Sequence, residues 1–268
     1  MRLVLIPPYQ NPLVNWGWVL REHVANFKQK GQLEGVEVDV DDGYFIDNAT
    51  QFRDEEVIAL VTVGILKKVR EYGKTGKYDA IVLSGGCDPG FVAARAFSEI
   101  PVTAGLHSAL HVASLIGERV SMLHGRPEAG LLERHLAERY GLSHKLVSVR
   151  AYIHSSTYMY SLISKYQGNK KERSKDPELK KIIDDITAQG IMAIEKDRAD
   201  SLILSSEANQ LLEEEIRQSL DKAGYDEIPI ICPIPAALEM AKAMVNMKLV
   251  KAPRAFPSGH LKTPPEYY

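Results

Sequence analysis

Two residue types in this chain invite chemistry, thiols and carboxylates, and they meet in one short run. Val82-Leu83-Ser84-Gly85-Gly86-Cys87-Asp88-Pro89-Gly90 passes from apolar residues to two glycines, a thiol, a carboxylate and a proline. Asp is a favoured helix N-cap and Pro a favoured first-turn residue, so the pattern places Cys87 between a strand end and a helix start. Unpaired N–H groups and the positive end of a helix dipole favour a thiolate there. The glycines allow close backbone approach to a ligand, with Gly86 a candidate contact. Plainer readings stand beside this one. A cysteine can be a small buried hydrophobe, two glycines can serve only a turn, and the Asp88 charge opposes ionisation of its neighbour.

The elements that must position Cys87 follow from alternating patterns. Short Val/Ile/Leu-rich runs over 3–7, 36–40, 80–84, 102–105, 120–123, 146–149, 201–204 and 228–231 read as buried strands. Helix-period segments lie near 16–30, 54–73, 90–98, 107–116, 128–140, 177–197, 208–223 and 235–248. Strand–helix alternation predicts an α/β protein with parallel sheets. The strands fall into two similar sets, read as two pseudo-symmetric flavodoxin-like lobes facing each other. The expected division is 1–106 plus 225–268 for the first lobe and 107–224 for the second. The charged stretch 170–177 reads as a solvated loop.

Ligands of open α/β sheets bind beyond the carboxyl ends of strands. Standing there are Tyr9, Gln10 and Asn11, then Cys87, then His124 with Gly125 and Arg126, then Ser205, Ser206 and Glu207, and finally Cys232 before a proline. Each has an ordinary structural alternative. Cys232 can pack at a strand end, Ser206 can cap the helix near Ala208, His124 can bond its own loop, and Asn11 can serve a turn.

Composition narrows the class. With 45% hydrophobic and 25% charged residues, the 268-residue chain is an ordinary globular one with ample core. A net charge of −2 argues against nucleic acid or an anionic membrane as partner. The apolar start at Leu3 is cut short by Pro7-Pro8, and no run is long enough to span a bilayer. Two distant cysteines make no disulfide framework, so the expected compartment is the cytoplasm. There is no G-x-G-x-x-G, Walker loop, H-E-x-x-H, C-x-x-C or G-x-S-x-G. His107 and His111 stand four apart with no evident third ligand. No metal and no cofactor are expected. The expected partner is a small-molecule substrate, and the chain could assemble as a homo-oligomer.

Several runs together resemble a known family. Ser84 to Arg95, then Ile100-Pro101-Val102-Thr103-Ala104-Gly105-Leu106, resemble the signature of the aspartate/glutamate/hydantoin racemase superfamily. Gly117-Glu118-Arg119-Val120-Ser121-Met122-Leu123 resembles its second-lobe opening strand. Ile228-Pro229-Ile230-Ile231 and Pro235 to Ala241 resemble its last strand and helix. The likeness is greatest to the hydantoin and allantoin racemase branch. It implies an active site in the cleft between lobes, with one cysteine from each. One thiolate removes a proton α to a carbonyl, and the other thiol returns one on the opposite face. Donors stabilise the enolate-like intermediate.

The chain departs from that pattern twice. An ungapped reading puts Gly85 in the first cysteine's column, with Cys87 two positions late. Ser205 and Ser206 stand where the second-lobe cysteine belongs, and Cys232 lies one strand later. Three arrangements follow: Cys87 with Cys232, Cys87 alone with Ser206 or Glu207 as donor, or a pocket that only binds. The expected function is a racemase- or epimerase-like isomerase using Cys87, Cys232 and Ser206. Asn11, Gly86, Asp88, His124, Ser205 and Glu207 are its expected substrate contacts. The alternatives are a single-cysteine lyase or decarboxylase, as related arylmalonate decarboxylases need one cysteine, and a non-catalytic small-molecule binding protein.

Overall fold

The computed structural model describes residues 1–10, 16–46, 55–166 and 169–257. Asn11 lies outside them. The first sheet contains β1 (Arg2–Ile6), β2 (Glu37–Val40), β3 (Ala80–Leu83) and β4 (Val102–Ala104). The second contains β5 (Val120–His124), β6 (Leu146–Ala151), β7 (Ser201–Leu204) and β8 (Ile230–Ile231). Their orders, β2-β1-β3-β4 and β6-β5-β7-β8, repeat one topology, and every pairing is parallel. The central strands are apolar on both faces: Ala80–Leu83 and Ser201–Leu204 are buried throughout. That is the pattern of a sheet covered by helices on both sides.

The covering helices are α1 (Trp16–Gln29), α2 (Glu55–Lys74), α3 (Phe91–Phe97) and α4 (Gly105–Ile116), followed by α5 (Ala129–Arg139) and α6 (Ser156–Ile163). Then come α7 (Lys170–Arg173), α8 (Pro177–Asp197), α9 (Glu207–Gln210), α10 (Glu213–Lys222) and α11 (Pro233–Asn246). Two of them are exchanged between the sheets. Helix α4 follows the first sheet, yet Leu106, Ala109, Leu110 and Ala113 pack with Met122, Ile203 and Ile231 of the second. Helix α11 follows the second sheet, yet Ile234, Ala237, Leu238 and Ala241 pack with Leu3, Leu5, Ala80 and Val82 of the first. A lobe boundary at residue 225 would carry β8 into the first lobe. Its register, Leu202 opposite Ile230 and Ile203 opposite Ile231, puts it in the second sheet.

Three local expectations are corrected. The segment expected as a charged loop forms α7, capped by Asn169, and its Arg173 is buried against Glu215, with Nε donating to Oε1 at 2.8 Å. The single helix expected near 208–223 is split into α9 and α10, because Leu211 and Leu212 turn into the core. Helix α6 was not expected. Its hydroxyl-rich sequence is a weak helix former, but Ser155 caps it by accepting from Tyr158 N, and Met159, Leu162 and Ile163 bury one face.

Candidate active site

The central strands of both sheets deliver their carboxyl ends to one cavity of about 80 Å³. Tyr9 arrives after β1, Gly86 and Cys87 after β3, His124 at the end of β5, and Ser205, Ser206 and Glu207 after β7. Arg126 follows β5 into the same wall, and α6 adds Ser156 and Tyr160. Trp16 completes an aromatic side, edge-on to Tyr9 at 5.9 Å and to Tyr160 at 5.2 Å. The two lobes touch here. A Cβ built on Gly86 would lie 2.7 Å from the Ser205 carbonyl oxygen, so this loop can close on the other lobe only with glycine at that position.

The Cys87 loop turns sharply, with Gly85, Asp88 and Gly90 all at positive φ. Gly90 occupies the N-cap position of α3, which has no side-chain cap. Asp88 caps a different helix from the one expected. Its carboxylate accepts from Leu106 N at 2.9 Å and His107 N at 2.7 Å, at the start of α4, and from Tyr140 Oη at 2.9 Å. It is buried and fully engaged in anchoring the loop, and it does not line the cavity as a substrate contact would.

Electrostatics reverse the thiolate expectation. Burial pushes the Cys87 thiol well up, and Glu133, Asp88 and Glu207 push it further in the same direction. The resting group is a thiol. Burial also raises Glu207 to about 7, against a hydrogen bond from the Gly85 backbone, and raises Asp88 to about 6. Burial lowers His124 to about 4, so its ring is neutral, and its Nδ1 accepts from Arg126 N at 3.1 Å. Ser206 does two things at once. Its Oγ accepts from Ala208 N at 3.3 Å as the cap of α9 and lies 3.0 Å from Ser156 Oγ on the cavity wall. The Ser205 hydroxyl is turned inward and donates to Leu123 O at 3.1 Å.

Known proteins decide the family. The sequence profile described as Asp/Glu/Hydantoin racemase matches residues 19–241. The chain belongs to the Asp/Glu/hydantoin racemase family. A hydantoin racemase of Pseudomonas sp. (strain NS671) is 24% identical over 184 residues, a match spanning 69% of this chain and 65% of that protein's length. An allantoin racemase from Pseudomonas fluorescens has the same fold at a TM-score of 0.74 and 19% identity, covering 98% of this chain and 99% of the other. One from Klebsiella pneumoniae gives 0.72 at 21% identity, covering 96% and 94%.

The two cysteines line different cavities. Cys232 does not share the Cys87 cavity. It lies between β8 and α11 and lines a second cavity with His23, Gln210, Lys30 and Glu213. The cause is topological: β8 is an edge strand, while the strands feeding the Cys87 cavity are central. The sequence marks Trp16 only as a core, lid or interface residue, and does not single out Tyr160 or Glu133. Trp16 and Tyr160 sit on helices whose facing cannot be fixed before the fold is known. Glu133 of α5 looks like one more surface carboxylate in Leu132-Glu133-Arg134, yet it is 0% exposed.

Proposed function

We propose that the chain is an isomerase that moves a proton at a carbon α to a carboxylate or imide carbonyl of a small molecule. The observation that carries this is one thiol from the first lobe and one carboxyl group poised near neutrality from the second, lining the same cavity. Glu207 as carboxylate takes the α-proton from one face, and the Cys87 thiol gives its proton to the other. The opposite enantiomer uses the reverse assignment. The Ser206 hydroxyl and the Cys87-loop backbone supply donors to the enolate-like intermediate, and Arg126 suits the charge of an anionic substrate. The neutral His124 ring accepts its loop's N–H and orders that wall. The family and the hydantoin and allantoin racemase relatives support a cyclic imide or ureide, or an amino acid, as substrate class.

A second reading rests on the lone protonated thiol. In a decarboxylase, the C–C bond breaks to release CO₂, and the carbanion takes the Cys87 proton. The thiolate is then reprotonated from solvent.

Incubation in D₂O with amino acids, hydantoins, allantoin and substituted malonates, followed by NMR and polarimetry, separates the readings. Isomerisation gives α-deuterium with loss of optical rotation and no breakdown. It is lost by a factor of about 10² or more in Cys87→Ala and in Glu207→Gln. CO₂ release that survives Glu207→Gln but not Cys87→Ala overturns the isomerase in favour of the lyase.

A further inference from the structure

Behind the cavity lies a carboxylic acid that the proposed proton transfer does not use. Glu133 is 0% exposed, and its one hydroxyl neighbour, Ser205, gives its proton to Leu123 O at 3.1 Å, which leaves both carboxyl oxygens without a geometrically formed hydrogen bond among the described residues. A buried carboxyl group without a donor or cation is expensive as an anion and persists where its neutral form is used. Its surroundings connect it to the thiol. The Ser205 hydroxyl lies beside the Glu133 carboxyl, and the Ser205 carbonyl abuts Gly86, the residue before Cys87. Among the charges acting on Cys87, Glu133 is the largest.

We propose that Glu133 is a positioning residue for Cys87, a buried acid whose own protonation decides when the thiol can release its proton. The inference rests on the reading of Cys87 as the acid/base group. With Glu133 neutral, a thiolate at Cys87 faces one negative charge fewer. Once Glu133 ionises, the thiol is held protonated. Burial raises Glu133 to about 8, so the exchange falls just above neutrality. The other groups facing this centre are also defined. Asp88 and Glu207 add negative charge at Cys87, and Tyr152 lies close to both Glu133 and Glu207. Arg126 and His124 stand on the cavity wall. Tyr140, His107 and Arg95 act through Asp88. Two ionisations coupled in this way give a broad, displaced profile that belongs to the pair.

The test needs no substrate. Full-length protein is alkylated with iodoacetamide from pH 6 to 10, and peptide mass spectrometry follows Cys87 and Cys232 separately. In Glu133→Gln the upper part of the Cys87 profile moves down by roughly one pH unit: alkylation is unchanged near pH 6, about twofold faster at pH 8, where Glu133 is half ionised, and about tenfold faster at pH 10. Glu133→Asp keeps the wild-type profile, and Cys232 is unchanged throughout. Glu133→Met serves if the amide variant does not fold, because an apolar side chain removes an unpartnered buried group. A Cys87 profile that stays in place in both variants overturns the proposal. So does one that moves only together with Cys232, which marks general loosening. Silence of the D₂O panel would count against the isomerase and leave this result standing.

Discussion

Cys87 and Cys232 show what a residue is worth apart from its position. Both are free thiols just past a strand with a proline following, and the sequence offers both as catalytic candidates. The fold separates them by strand rank, central for one and edge for the other. Cys232→Ala is therefore expected to hold kcat/KM within about twofold, whereas Ser206→Ala loses roughly tenfold or more with its donor gone from the wall. Steady-state kinetics on the substrate identified in D₂O checks both; a large loss in Cys232→Ala would restore the two-thiol arrangement. Cys87 was legible because glycines, a cap residue and proline mark its turn. Glu133 was not, because an acidic residue on an amphipathic helix looks solvated until the neighbour on its face is known.

At the level of elements, strands and most helices were legible because buried parallel strands announce themselves as Val/Ile/Leu runs. The capping of α4 by Asp88 was not, since the carboxylate reaches a helix 17 residues onward rather than its own. The same holds for Gly86, whose need arises from Ser205 on the other lobe. Gly86→Ala sets a methyl group against a backbone carbonyl, which cannot rotate away. We expect a fall in kcat of about 10²-fold with a loss of stability near 1–3 kcal/mol, read by kinetics and urea unfolding. Wild-type kinetics in this variant would mean that the lobes part at this point during turnover.

Across the whole molecule, buried acids and buried histidines make opposing contributions to stability. His23, His107 and His124 are lowered to about 4, 3 and 4, each by burial first. Between those values and 6.5 the unfolded chain binds more of their protons, so their contribution to stability rises with pH. Asp88, Glu207 and Glu133 are raised to about 6, 7 and 8. Above their ordinary values the folded chain binds more protons, so their contribution falls as pH rises through those values. The two sets offset each other up to about pH 6.5, after which only the acids act. Urea unfolding at pH 5, 6.5 and 8.5 is expected to show a plateau and then a decline. Glu133→Met should remove roughly 1–2 kcal/mol of that decline. A midpoint that keeps rising to pH 8.5 would show that Glu207 and Glu133 both ionise freely in the fold.

The exchange of α4 and α11 has a consequence for cutting the chain. A break in the short link between α4 and β5 leaves an N-terminal fragment carrying a helix whose apolar face belongs to the other sheet. The C-terminal fragment carries the reciprocal helix. Each piece expressed alone presents an uncovered sheet face and a sticky helix, and so tends to aggregate. Expressed together, each supplies the cover the other lacks. The protein is thus a natural candidate for fragment complementation, with the reconstituted cleft as its reporter.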